Sequence, residues 1–250
     1  MKKYNLANKM MDYPKITSNI KISEYFKKES SKIFENLDNK INSVFKEMSN
    51  AEITYTAFLD YDIPPHHFMS YGNIKYIIST RENDDTLKKT NEVNIYFAKI
   101  FDERIKNRII KSWTENSLLS DRLELLMQAL DCYEKELYGP VVSTFATQIE
   151  GVIKQKINKR FDSVSSKKLI KIIKKLFSKK GIGSTDLTTS KYYEEKFIVS
   201  NRDLPSNRHS IAHGNIANYT SKIDAVRMML IFDSIVTRLE VIDENLLLEE

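Results

Sequence analysis

The segment "SNRHSIAHGN", residues 206–215, combines side chains that can move protons with one that can hold a phosphate. Two of the chain's four histidines, His209 and His213, lie here beside Arg208. Histidine titrates near neutral pH, so it can take a proton from a ribose 2′-hydroxyl or give one to a leaving 5′-oxygen. Arginine binds a phosphate through a planar guanidinium that is always charged. Together these residue types favour acid–base chemistry on RNA that requires no metal.

A short helix beginning near Arg208 would hold the three side chains in a fixed geometry. Asn207, or the serine before it, can cap the first turn of that helix. His209 and His213 are four residues apart, so they would share one helical face. Gly214 and the asparagine after it predict that the helix breaks or bends there.

Other interpretations of the segment stay open. A histidine can satisfy a helix end and an arginine can pair with a carboxylate, which would be a structural role. Histidines at i and i+4 can bind zinc, but the metalloprotease pattern requires a glutamate directly after His209, where the chain has Ser210. No nucleophile elbow surrounds Ser210 either. The pair His66 and His67 in "PPHHF" could add ligands, although adjacent histidines rarely converge on one ion. We therefore expect neither a metal nor another cofactor.

Positive charge is concentrated in one part of the chain. Residues 152–180 contain eleven basic side chains and one acid, whereas the other residues contain 28 basic and 33 acidic side chains. A local positive field on an acidic body favours a polyanionic partner, nucleic acid before membrane. A solvated lysine face and a helix on a membrane surface are the alternatives. The lysines expected to contact an RNA backbone, without reading its sequence, are Lys167, Lys168, Lys171, Lys174 and Lys175.

Hydrophobic periodicity predicts a mainly α protein. Only 52–62 and 74–80 ("EITYTAF" and "IKYIIST") give weak indications of strands. A boundary near Trp113–Ser120 would separate a mostly helical N-terminal region of unknown role, 1–117, from a bundle of four or five helices, 118–250. Helices are expected at 22–48, 92–112, 120–138, 140–157, 166–178, 185–200 and 221–246, the last with Ser221 as its N-cap.

Composition predicts a soluble protein of the cytoplasm. The single cysteine, Cys132, excludes an internal disulfide and suits a reducing compartment. Two lysines follow the first residue, but no apolar stretch of signal-peptide length comes after them. The longest apolar runs, such as "MMLIF" at 228–232, are too short to cross a bilayer. We therefore expect no membrane partner.

The segment around Arg208 resembles the signature of the HEPN superfamily. Members of that family carry an arginine, four to six further residues and a histidine, often within an "RN…AHG" stretch. Here Arg208, four intervening residues and His213 match the spacing, and Gly214 completes the tail. One position differs: the residue after the arginine is commonly asparagine, whereas here it is His209, with Asn207 before the arginine. His209 would then either take over the role of the asparagine or add a second titrating group.

The surrounding sequence is similar to the family as well, over residues 118–250. The motif lies late in a helical bundle and precedes a long amphipathic helix, "YTSKIDAVRMMLIFDSIVTRL". The earlier stretch "YGPVVSTFATQIEGVI", 138–153, looks like a helix of such bundles, with Glu150 as the inward-facing acid. Glu150 could orient Arg208 or His209. It could equally be a surface residue or pair with a lysine such as Lys154, four residues on.

The resemblance implies a metal-independent endoribonuclease that works as a homodimer, with two motifs over one scissile phosphate. His213 would be the acid–base residue, and Arg208 would bind the phosphate and stabilise developing charge. The products would be a 2′,3′-cyclic phosphate and a 5′-hydroxyl. The RNA substrate, with tRNA as one candidate, and an antitoxin or sensor protein would be the partners, because such domains occur in toxin–antitoxin, abortive-infection and other anti-phage systems. A catalytically silent module that binds RNA or a protein, and a purely structural dimerisation subunit, are the alternatives.

Overall fold

In a computed structural model of the chain, the residues described are 51–81, 86–157, 164–178, 191–194, 208–242 and 247. The chain divides into two compact units, Met1–Ser49 and Asn50–Glu250, and all described residues belong to the second. The helix expected at 22–48 lies outside them. Of the helix expected at 185–200, only 191–194 is described, and these four residues are helical.

Every regular element among the described residues is a helix, which confirms the predicted mainly α class. No described helix is both long enough and apolar enough to cross a membrane. In chain order the helices are α1 (Ala51–Asp60), α2 (Tyr71–Arg81), α3 (Thr86–Ile100), α4 (Glu103–Glu115), a 3-10 helix (Ser117–Arg122), α5 (Leu123–Glu134), α6 (Tyr138–Lys156), α7 (Ser166–Ser178), α8 (Arg208–Ala212) and α9 (Lys222–Val241).

The weak indications of strands at 52–62 and 74–80 are wrong, because α1 and α2 occupy these segments. The β-branched and aromatic residues there raise strand propensity, but this preference is small and depends on context. Both helices are held by burial instead: α1 buries Ala57 and Phe58, and α2 buries Ile77. Tertiary packing thus outweighs local propensity in both segments.

The helix expected at 92–112 is in fact two helices, α3 and α4. Asp102 separates them, because its side chain accepts a hydrogen bond of 2.9 Å from the Ile105 N–H at the start of α4. An aspartate in this position satisfies an amide that a helix start otherwise leaves without a partner. The helix expected at 120–138 likewise starts as the 3-10 helix and ends at Glu134.

Helix α9 forms the centre of the second unit. It is buried continuously from Asp224 to Val236, as expected for a helix that is covered on all sides. It packs mainly on α6 and also contacts α3 and α7. Its start agrees with the sequence: the Ser221 hydroxyl accepts from the Asp224 N–H, and the Asp224 carboxylate accepts from the Ser221 N–H. This reciprocal capping box confirms the predicted N-cap.

Residues before and after position 117 share this core. Trp113 of α4 packs its ring against Phe145 of α6 and Phe232 of α9, with ring centroids 5.4 Å apart in both pairs. Arg227 of α9 donates to the Tyr61 carbonyl oxygen over 2.9 Å. The described N-terminal helices and α5 to α9 therefore stabilise one another within the second unit.

Candidate functional site

The helix that carries the Arg208–His213 motif ends where the sequence predicts. The Gly214 N–H donates to the Ile211 carbonyl over 3.1 Å, and the Asn215 N–H donates to the Ser210 carbonyl over 2.9 Å. Gly214 has a φ of +68°, in the left-handed region. This combination is a Schellman motif, which satisfies the last carbonyls of a helix. It places His213 at the last residue before the left-handed turn.

Helix α8 packs on α6, and its residues divide between core and surface. Ser210 and Ile211 are buried, whereas His213 is exposed. The side chains of Arg208 and His209, and the whole of Asn207, lie outside the described part of the structure. The helix is therefore anchored through its middle and presents the end that bears His213 to solvent.

Glu150 lies on α6, the helix that supports α8. Its carboxylate pairs with the Lys154 ammonium, with 2.8 Å between Oε1 and Nζ, and both side chains are largely buried. The sequence left open whether Glu150 pairs with Lys154, and the structure contains this ion pair. An additional role for Glu150 in orienting Arg208 or His209 stays a prediction.

Arg122 contributes a guanidinium to the same region of α6, which the sequence did not indicate. It donates to the Gln148 side-chain oxygen and covers Gly151 so closely that a Cβ at residue 151 would lie 2.8 Å from its Nη1. A glycine in the middle of a helix costs about 1 kcal/mol relative to alanine, so it usually has a packing reason. A glycine at position 151, inside a predicted helix, is therefore the one sequence feature that could have indicated a large side chain packed against this helix.

Helix α7 has the amphipathic form that its sequence predicts. Its apolar side is buried in the core, through Leu169, Ile172, Ile173, Leu176 and Phe177. On the other side, Lys167, Lys168, Lys171 and Lys174 are exposed and Lys175 is half-buried. Lys174 pairs with Glu194 at 3.3 Å, so part of the lysine charge is compensated within the protein.

A buried hydrogen-bonded cluster lies around Asp233 in the middle of α9. His66 Nε2 is 2.8 Å from Asp233 Oδ2, and Trp113 Nε1 donates to Asp233 Oδ1 over 2.8 Å. The Phe68 N–H donates to His66 Nδ1 over 3.2 Å. Because Nδ1 accepts a hydrogen bond, the proton of the ring lies on Nε2 and is donated to Asp233. Both oxygens of the carboxylate thus have a donor.

The donor atoms of this cluster and of His67 are close enough together to hold a metal ion, but the hydrogen bonds of His66 do not fit a metal ligand. Donor atoms of His66, His67 and Asp233 lie within 4.8 Å of one another. A metal-bound histidine normally donates its second ring N–H to a neighbour. In His66 that second nitrogen instead accepts the Phe68 N–H. A metal ion would have to displace the proton from Nε2 and break the hydrogen bond at Nδ1.

Electrostatics at His67 also oppose a bound cation. The pKa of His67 is lowered to about 4, first of all because packing against neighbouring groups partly desolvates the imidazole. The charges of His66, Arg108 and Arg238 contribute to this lowering, whereas the charge of Asp233 acts in the opposite direction. The surroundings of His67 therefore disfavour positive charge.

Comparison of the chain with models of protein families, with curated proteins and with solved structures gives no match. The resemblance to the HEPN superfamily therefore stays a prediction from the motif and from the sequence around it.

The left-handed turn after α8 yields a prediction of stability. Gly214→Ala is expected to lower the free energy of unfolding by about 1 kcal/mol, because an L-residue resists a positive φ. No collision contributes, since no atom lies within 4 Å of a Cβ placed on Gly214. Gly214→Asn should cost less, because asparagine adopts this conformation more readily. Urea unfolding of both variants measures the difference, and an alanine variant as stable as wild type would contradict the assignment of the turn.

Proposed function

We propose that this chain is a metal-independent endoribonuclease of the HEPN type that acts in phage defence or in a toxin–antitoxin system. The observation that carries the proposal is helix α8, a short helix that begins at Arg208 and is followed directly by His213, which is exposed to solvent. Phosphate binding and proton transfer require these two residue types near one RNA phosphate. An antitoxin or sensor protein would regulate the activity.

The proposed reaction is an intramolecular transesterification in which the 5′-oxygen is the leaving group. The ribose 2′-oxygen attacks the adjacent phosphorus, and the bond between phosphorus and the 5′-oxygen breaks. The 2′-hydroxyl loses a proton to one histidine, and the leaving 5′-oxygen gains a proton from a second group. Arg208 binds the phosphate and offsets the charge that develops on its oxygens. The products are a 2′,3′-cyclic phosphate and a 5′-hydroxyl.

A homodimer is part of this proposal. In-line cleavage needs one group that accepts a proton and another that donates one, on opposite sides of the phosphorus. His213 supplies one such group in each protomer, and two motifs that meet across a dimer supply both. His209 is the other candidate for the second group, since it would share a helical face with His213.

The second candidate function is a catalytically silent module that binds RNA or a protein partner. The exposed lysines of α7 favour it, because counterion release at a phosphate backbone requires no catalytic residue. Both candidates account for the motif and for the basic helix, and they differ in whether RNA is cut.

The deciding experiment incubates purified full-length protein with tRNA and with total RNA in the presence of EDTA. We expect cleavage, with products whose 3′ ends accept a phosphatase only after acid opens the cyclic phosphate. Protein that binds RNA without cutting it would support the silent module. Cleavage that EDTA abolishes would overturn the metal-independent mechanism.

A further inference from the structure

An open cleft of about 300 Å³ lies at the ends of four helices, where α4, α6 and α9 begin and α5 ends. Clefts of several hundred cubic ångströms are the usual sites of small ligands. The residues that line this one are Phe101, Asp102, Glu103, Lys106, Tyr133, Glu134, Glu136, Tyr138 and Lys222. None of them belongs to the Arg208–His213 motif or to the lysine face of α7, so the cleft is a separate feature of the surface.

Three aromatic rings line the cleft as one connected group. The Tyr133 ring meets the ring of Phe101 at 5.8 Å and the ring of Tyr138 at 5.7 Å between centroids, both edge to face. The ammonium of Lys222 lies over the Tyr133 ring, 5.8 Å from its centroid. The face of an aromatic ring attracts cations because it carries partial negative charge. The Tyr133 ring thus already receives an ammonium group from the chain itself.

Negative charge predominates among the polar groups of the cleft, which has four carboxylates and two ammonium groups in its lining. The Lys106 ammonium donates to Glu103 over 2.7 Å and also to Glu134, so two carboxylates share this one positive charge. Glu136 is exposed, and within the described part of the chain it takes part in no ion pair. Its carboxylate is therefore available to a ligand.

The two tyrosines respond to this negative charge. Burial is the main cause of the raised pKa of Tyr133, followed by Tyr138 and by two of these carboxylates. For Tyr138, desolvation again comes first, and Glu136 and Glu134 raise its pKa as well. A carboxylate raises the pKa of a phenol because it repels the phenolate form. The same field attracts a cation into the cleft.

Glu136 occupies a backbone position at which glycine is usual. Its φ is +59°, in the left-handed region. The Glu136 N–H donates to the Tyr133 carbonyl over 3.0 Å, and the Leu137 N–H donates to the Cys132 carbonyl over 2.8 Å. These two hydrogen bonds form a Schellman motif at the end of α5, whose left-handed residue is most often glycine. The carboxylate is thus held at the cleft in a conformation that a side chain disfavours.

We propose that this cleft binds an organic cation, an ammonium or guanidinium group on an aliphatic chain, against the rings of Tyr133 and Tyr138 and beside the Glu136 carboxylate. The cation replaces the exposed Lys222 ammonium over the Tyr133 ring, and the aliphatic chain lies along the aromatic groups. The inference is independent of the proposed ribonuclease activity. A free polyamine and the arginine or lysine side chain of a protein partner carry the same chemical group, and the test distinguishes them.

The test is isothermal titration calorimetry of full-length protein freed of nucleic acid. Spermidine represents a free polyamine, and a capped glycine–arginine–glycine peptide represents the side chain of a partner. We expect saturable binding at one site per chain, and the tighter of the two probes identifies the source of the cation. Absence of saturable binding by both probes would overturn the proposal. So would binding that magnesium chloride abolishes at matched ionic strength, because it would reflect a diffuse ion atmosphere.

Three substitutions in the cleft have effects of different sign. Glu136→Gln is expected to weaken binding by about twofold to fivefold, the loss of one exposed ion pair. Lys222→Met should strengthen it by about twofold, because a competing ammonium is removed. Tyr138→Leu should weaken binding by about twofold to fivefold, whereas Tyr138→Phe retains the ring and the affinity. Equal losses in the two Tyr138 variants would show that the ring face makes no contact and would overturn the proposal.

Matched variants outside the cleft separate a local site from overall charge. Glu124→Gln, at the other end of α5, and Lys111→Met, on α4, make the same charge changes at exposed positions. Both should leave the affinity nearly unchanged. Effects equal to those of Glu136→Gln and Lys222→Met would mean that only the net charge of the protein matters, and the cleft would be refuted as a site.

Glu136→Gly separates binding from folding. Because glycine adopts a positive φ without strain, this variant should unfold at a higher urea concentration than wild type. It should also bind the cation more weakly, to the same extent as Glu136→Gln. A stabilised protein with weakened binding is the result that the proposal requires. Unchanged affinity, with either higher or lower stability, would show that the carboxylate contacts no ligand and would overturn the proposal.

Discussion

His213→Ala is expected to abolish RNA cleavage, by about 10²–10⁴-fold, the usual loss when a general acid–base residue is removed. The resemblance to the HEPN motif assigns the acid–base role to this histidine, and its side chain is exposed directly after α8. Because its side chain is not part of the core, the substitution should leave the fold intact. Gel assays with tRNA and total RNA in EDTA measure the effect.

The controls separate catalysis from folding. Far-UV circular dichroism and sedimentation should show unchanged helix content and an unchanged oligomeric state, since Ser210 and Ile211, which anchor α8, are retained. His209→Ala is the matched variant within the same segment. Unaltered cleavage by His213→Ala would exclude His213 as the acid–base residue. A larger loss in His209→Ala would transfer that role to His209.

Asp233→Ala is expected to destabilise the protein by about 3–5 kcal/mol. Asp233 is 1% exposed, and its carboxylate accepts from two buried donors, His66 Nε2 and Trp113 Nε1. Its removal leaves both N–H groups without an acceptor in the core and opens a cavity between them. Equilibrium unfolding in urea, monitored by tryptophan fluorescence, measures the loss because Trp113 is the chain's only tryptophan.

A matched control and a milder variant keep this prediction testable. Asp131→Ala removes an exposed aspartate from α5 and should change stability by less than about 0.5 kcal/mol. If Asp233→Ala does not fold, His66→Phe retains a ring and removes one of the two donors to Asp233. It should cost about 1–3 kcal/mol, because the Oδ2 oxygen then stays buried without that donor. A stability equal to wild type in either substitution at the cluster would show that these hydrogen bonds do not hold α9 in place.

The local sequence was sufficient to predict those structural features that depend only on residues close to one another along the chain. The amphipathic helix α7, the Ser221 cap of α9 and the turn at Gly214 were all predicted, because caps, glycine turns and helical periodicity involve residues within a few positions of one another. The same local patterns failed at α1 and α2. There the residues alone favoured strands weakly, and contacts with the rest of the fold decided for helices.

The Arg208–His213 motif was also recognisable in the sequence, because its spacing is local and histidine is rare in this chain. Its chemistry stays a prediction, since proton transfer depends on a second protomer or a second side chain that no local pattern specifies. Glu150 illustrates the limit: spacing allowed pairing with Lys154 or with the motif, and only the fold shows the contact with Lys154.

The sequence by itself thus determined the helical class, the Ser221 cap of α9, the turn at Gly214 and the candidate motif, all of which arise from interactions over a few residues. The tertiary structure alone decided which distant residues meet. His66 and Asp233 are 167 positions apart, and Trp113 and Asp233 are 120 apart, so their hydrogen bonds form only when α9 is enclosed by the other helices. Burial of the apolar faces sets the helix positions, and the polar side chains between those faces take whichever partners the packing brings within reach.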